Sequence, residues 1–142
     1  MLGTPLSAAT LLVVTFFVIA YSIAKLRFKE RPFLDSLTSS IHFVGPLVFA
    51  LALTGTIAEG TVIIISFLLW GMASHAFGAV QDIIPDRAGG LSSIATVLGA
   101  RSTVLLSLGL YTASIVTLAL QGPYEAIVAA AGCVYIFNLL PY

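Results

Sequence analysis

Charge is what this chain has least of. Lys, Arg, Asp and Glu together make up 8% of its 142 residues, where an ordinary soluble domain carries about a quarter. Hydrophobic side chains account for 59% and mean hydropathy is +1.09, which excludes a water-soluble globule of this size and leaves the bilayer as the solvent. Cysteine is almost as scarce: Cys133 stands alone, so neither an internal disulfide nor a thiolate metal cluster can be built, and a small buried apolar role is expected for it. Acids are missing altogether from residues 1–29. A basic leading region is missing too, so Met1–Tyr21 is read as a retained spanning helix rather than a secretory signal. Strict apolar/polar alternation and frequent polar turns do not occur, which argues against a membrane β-barrel. No short repeat or low-complexity linker is visible.

What is present is a set of charge-free runs at 1–24, 36–58, 60–81, 102–124 and 126–142. Each is near the ~20 residues that cross the hydrocarbon core as a helix, and backbone groups in lipid must be satisfied within the segment. The fold class read from this is all-α: one membrane domain over 1–142, a polytopic bundle with five spans near 6–24, 41–58, 61–81, 102–120 and 124–140. Thr54-Gly55-Thr56 and Gln121-Gly122-Pro123 punctuate two short turns.

The few charges are unevenly placed. Lys25, Arg27, Lys29 and Arg31 fall between the first and second spans, Arg87 and Arg101 between the third and fourth; the other connections hold only Glu59 and Glu125. The positive-inside rule then predicts a multi-pass cell-membrane protein with its amino terminus outside and both longer loops in the cytoplasm. No nucleic-acid partner is expected, and the net charge of zero carries no information on partners because it conceals this asymmetry.

Asp82 and Asp86 are the only carboxylates four residues apart. On a helix they share a face about 6 Å apart, a spacing suited to one or two hard cations. Mg²⁺ held by so few carboxylates keeps waters and takes phosphate oxygens as further ligands, so the pair points to a diphosphate. The same spacing also fits two Asp caps in a solvated loop, and Pro85 between them opposes an uninterrupted helix because its ring clashes with the carbonyl of Gln81. The Lys25–Arg31 run admits two readings likewise, as a topology determinant that reaches lipid phosphates or as cations facing the acids across a cavity. His75 precedes Asp82 by two helical turns, placing both on one face of the third span as cavity-lining candidates; His42 lies near the same end of the second.

Two motifs in order carry a resemblance: Tyr21-Ser22 leading into Leu26-Arg27-Phe28-Lys29-Glu30-Arg31-Pro32, then Asp82-x-x-x-Asp86-Arg87-Ala88-Gly89-Gly90 with Ala95-Thr96-Val97-Leu98-Gly99. Together they resemble the second half of a UbiA-superfamily intramembrane prenyltransferase, corresponding to the fourth through eighth of about nine spans. The resemblance implies Mg²⁺ at Asp82 and Asp86 as the catalytic metal-binding pair, and an isoprenoid diphosphate held by Tyr21, Lys25, Arg27, Lys29, Arg31 and Arg87. It places Gln81, His75 and His42 in the cavity lining, with Gln81 standing where many members carry Asn. The partners it implies are an isoprenoid diphosphate and a hydrophobic acceptor in the lipid bilayer. The family's first acidic motif has no counterpart in residues 1–29, so the chain is read as truncated, inactive alone, and in need of an amino-terminal half or complementary subunit. Phe33–Ser39 with His42-Phe43-Val44-Gly45-Pro46, and Ala73–Gly78, look most like the lycopene-elongase branch. The alternatives are quinone or lipid acceptors, or a non-catalytic membrane subunit or transporter fragment.

Overall fold

The computed structural model describes residues 3–142. Among these there are seven α-helices and no strand: α1 (Pro5–Ser22), α2 (Leu34–Thr54), α3 (Thr61–Ala79), α4 (Ile83–Ala88), α5 (Ile94–Leu98), α6 (Ala100–Ala119) and α7 (Pro123–Leu139). Four of them, α1, α2, α3 and α6, are long and apolar enough to cross a membrane; α7, with 17 residues, is shorter. The expected fifth span is therefore an apolar helix about 26 Å long at 1.5 Å per residue, just under the hydrocarbon thickness.

Local chemistry sets the helix limits. Thr4 caps α1: its hydroxyl accepts from the Ser7 N–H at 3.2 Å, and Pro5 occupies the first turn, where a missing N–H costs nothing. α2 ends where Gly55 turns left-handed at φ 76°, and the Gly55 N–H donates to the Leu51 carbonyl. It begins at Leu34, seven residues before the expected start at 41, because Asp35 is accommodated inside the fold rather than excluded from it. Pro46 lies within α2 and removes the N–H that the His42 carbonyl would otherwise receive.

Successive long helices pack side by side, α1 on α2, α2 on α3, α3 on α6 and α6 on α7, so their directions alternate. Small residues form the seams. Gly45 lies against Val14, and a Cβ on Gly71 would stand 3.0 Å from Ser40 Cβ, so the α2 and α3 backbones approach closely. Side-chain hydrogen bonds cross the same seams: Ser40 Oγ donates to the Leu68 carbonyl at 2.7 Å, and Ser114 Oγ to the Ser66 carbonyl at 2.7 Å. Much of the remaining helix surface is exposed Leu, Ile, Val and Phe, as a lipid-facing bundle requires. Cys133 is half-buried on α7.

The alternation brings the 23–33 connection and the 80–99 connection to one end. The first contains a single 3₁₀ turn (Phe28–Glu30) between two non-glycine residues with positive φ, Arg27 at 42° and Phe33 at 68°. Each such conformation costs of order 1–3 kcal/mol and persists only where its surroundings impose it. The second folds into α4 and α5.

Candidate functional site

A cavity of about 610 Å³ opens at this end, lined by Tyr21, Arg27, Lys29, Glu30, His75, Gly78, Ala79, Gln81, Asp82, Asp86 and Leu91–Ser93. α3 stops at Ala79, and three i→i−3 bonds then tighten the chain: Val80 to Phe77, Gln81 to Gly78 and Asp82 to Ala79. α4 restarts with Asp82 as its N-cap, and the Asp86 N–H donates to the Asp82 carbonyl at 2.8 Å, so one α-turn does connect the two acids. Pro85 is tolerated because it is the third residue of α4, where its absent N–H would have no helical partner. Gln81 lies outside the helix, so the ring has no helical carbonyl to clash with.

The opposing wall is cationic and aromatic. Arg27 and Lys29 project from the left-handed turn and the 3₁₀ turn; Arg27 forms an ion pair with Glu30. Tyr21 Oη lies 3.5 Å from His75 Nε2, while His75 Nδ1 lies 3.1 Å from Ser36 Oγ, so the imidazole is held from α1 and α2 at once. Of the residues singled out in the sequence, Tyr21, Arg27, Lys29, His75, Gln81, Asp82 and Asp86 meet in this cavity.

Lys25, Arg31, Arg87 and His42 do not line it. Lys25 is exposed in the turn after α1. The Arg31 guanidinium stands 5.7 Å above the Phe28 ring, and Arg87 Nη2 donates to the Thr96 carbonyl at 3.2 Å, tying α4 to α5. His42 packs edge-on against Tyr21 at 5.0 Å and donates from Nδ1 to the Thr38 carbonyl at 2.7 Å, so it supports the Tyr21 ring from behind.

Sequence reasoning missed Glu30 and the Leu91–Ser93 wall, and it missed what places that wall. Asp35 is fully buried; one carboxylate oxygen accepts the Ser36 N–H at 2.7 Å and the other the Ile94 N–H at 2.8 Å, fixing the start of α5 from α2. Ser93 and Thr96 form a capping box on α5, with Ser93 N–H donating to Thr96 Oγ1 at 2.8 Å. The spelling Ser-x-x-Thr was the available signal for it.

Fold and site thus define a polytopic helical membrane protein with a charged cavity at one end, in which two acids one turn apart face two cations. The UbiA prenyltransferase family model matches residues 1–140, and the chain belongs to that family. A C(50) beta-cyclic carotenoids biosynthesis protein of Dietzia sp. (strain CQ4) is 49% identical over 142 residues, 99% of this chain and 32% of that protein. A lycopene elongase/hydratase of Corynebacterium glutamicum is 48% identical over 139 residues, covering 96% of this chain and 48% of the relative. A lycopene elongase/hydratase of Halobacterium salinarum is 33% identical over 126 residues, or 87% of this chain and 46% of the relative. The chain thus spans about a third to a half of the length of these curated relatives. No solved structure matches it.

Proposed function

We propose that this chain carries part of the substrate-binding apparatus of a prenyltransferase that moves an isoprenoid group from its diphosphate to a hydrophobic, carotenoid-like acceptor. The observation that carries this is the convergence of Asp82 and Asp86 with Arg27 and Lys29 on one cavity. The relatives' names, which speak of lycopene and of carotenoids, support this acceptor class.

The donor set fits Mg²⁺. Three carboxylates line the cavity, of which Glu30 is paired with Arg27, leaving Asp82 and Asp86 as the pair free to hold an ion; among the described residues no group of three or more His, Cys, Asp or Glu gathers into a protein-only cage. Asp82 and Asp86 would hold the ion and leave its remaining positions to water and phosphate oxygens. Bound there, the metal supplies charge neutralisation at the departing diphosphate. Arg27 and Lys29 complement the same charge from the opposite wall, and the ion pair with Glu30 aims the Arg27 guanidinium. Tyr21 and His75, held together and backed by His42, shape the floor on which the allylic end rests. We place this end of the bundle in the cytoplasm, since all six basic residues lie on it. One acidic pair grips one side of a diphosphate, so in this reading turnover calls for further ligands from the part of the longer relatives that this chain does not cover.

Titration calorimetry of the purified chain with dimethylallyl diphosphate tests the reading. Binding should require Mg²⁺ and weaken at least tenfold in Asp82→Ala and Asp86→Ala, and severalfold in Arg27→Ala. Equal binding without Mg²⁺ and in both Asp variants would sink it.

A further inference from the structure

The two cations of the charged cavity are not equivalent. Lys29 is exposed and forms no ion pair among the described residues, whereas Arg27 is bound to Glu30, three residues further on. Glu30 is itself held in place. Its N–H donates to the Arg27 carbonyl at 2.9 Å across the 3₁₀ turn, and the turn packs on α1 and α2, with the Phe28 ring 6.5 Å from that of Phe17.

Burial makes the pair asymmetric. The Glu30 side chain is 23% exposed against 48% for Arg27, and its Oε1 atom is buried with no hydrogen-bond donor besides the guanidinium. A buried carboxylate oxygen that loses its one partner is costly, so Glu30 resists the release of Arg27 to any other anion. An incoming anion must therefore compete for that guanidinium, and its apparent affinity falls by the fraction of time Arg27 is withheld.

Glu30 also sets the charge of the lining. Glu30, Asp82 and Asp86 outnumber Arg27 and Lys29, so the acids prevail until a metal arrives. Asp82 and Asp86 suit a cation, and Arg27 and Lys29 suit phosphate oxygens; the Glu30 charge opposes the ligand. Repulsion between like charges grows with the charge of the newcomer. A diphosphate alone is more negative than its Mg²⁺ complex, so Glu30 acts most strongly against the metal-free anion.

We propose that Glu30 gates donor binding: it occupies Arg27 and keeps the lining acidic, so that free diphosphate is refused and the Mg²⁺ complex is admitted. The choice of diphosphate as ligand rests on the prenyltransferase reading above; the pairing and burial of Glu30 do not.

Calorimetric titration of the full chain in detergent micelles with inorganic diphosphate, once with Mg²⁺ and once with EDTA, tests the gate. The parent should bind with Mg²⁺ and not measurably with EDTA. Glu30→Gln keeps the shape of the side chain and removes its charge; it should bind at least threefold tighter with Mg²⁺ and gain measurable binding in EDTA, at least tenfold above the parent's limit. Glu30→Ala repeats the test if Glu30→Gln does not insert. A Glu30 that only braces the turn would give the opposite sign, since its loss would disorder Arg27. Affinity unchanged or weakened with Mg²⁺ in both variants, or no binding by either in EDTA, overturns the proposal. Mg²⁺-dependent binding by the parent alongside such variants would strike this inference alone. Absence of binding by the parent and both variants in both media would strike the diphosphate reading as well.

Discussion

Replacing Asp35 by Ala should undock α5 from the bundle and with it one wall of the charged cavity. The Asp35 side chain is fully buried and accepts N–H bonds from Ser36 at 2.7 Å and Ile94 at 2.8 Å. Ile94 is itself 2% exposed, so in the Ala variant its N–H is left buried without an acceptor, at about 1–3 kcal/mol, and hydrogen bonds to a carboxylate are worth about 1.5–3 kcal/mol each. Because the Ser36 N–H is local, most of the loss falls on the α2–α5 contact, and we expect docking to weaken by about 2–4 kcal/mol. At 1.4 kcal/mol per tenfold, that shifts the open population of α5 roughly 30- to 700-fold. Ala95 reports the opening: it is fully buried against Ala76, Ala79 and Ile94. In a Cys133→Ala background, Ala95→Cys should react slowly with a soluble maleimide, and adding Asp35→Ala should accelerate it at least 30-fold. Asp35→Asn, which retains one acceptor oxygen, should fall between. A rate within threefold of the parent would show that the carboxylate does not hold α5, and the reasoning would be wrong.

Gly71→Leu should lower the detergent-solubilised unfolding midpoint by an amount equivalent to about 1–3 kcal/mol, since its Cβ would press Ser40 Cβ and Cα at 3.0 and 3.2 Å; an unchanged midpoint would refute the close approach of α2 and α3. In the Cys133→Ala background, Glu59→Cys should be labelled by an impermeant reagent in intact cells and Lys29→Cys only after permeabilisation; the reverse pattern would invert the topology. Expressed alone, the chain should give no prenyl transfer to lycopene, whereas co-expression with the amino-terminal half of a longer relative should restore it. Robust turnover by the isolated chain would show that one acidic pair is enough.

Helix existence was legible because lipid permits so few alternatives: charge-free runs of the right length become helices whatever their side-chain order. Boundaries were less so. The reading treated Asp35 as a charge outside the second span, whereas the structure buries it within α2. A carboxylate satisfied by a backbone N–H 59 positions away leaves no local mark in the sequence. Most of the cavity's ionisable groups could be named in advance, since acids and cations in an apolar chain stand out individually. Which cations enter the cavity could not be read, for that depends on backbone turns: the left-handed Arg27 and the 3₁₀ turn aim Arg27 and Lys29 inward, while Arg31 settles on Phe28 and Arg87 on Thr96. α4 and α5 were hidden in a stretch read as a loop, because Pro85 looks like a helix breaker until its place in the first turn is known.

The clamp between Asp35 and Ile94 also has a history within each molecule's synthesis. The chain emerges from its amino end, so Asp35 is made 59 residues before the N–H that receives it, a delay of about 3–12 s at 5–20 residues per second. During that interval α2 carries a carboxylate with only its neighbour's N–H for a partner, which favours keeping its first turn at the water boundary. Arrival of Ile94 ends the wait and draws that turn into the bundle. Closure of the charged cavity therefore waits on residue 94: a nascent chain halted before it would have its first three long helices and no finished site, whereas α6 and α7 are made only afterwards.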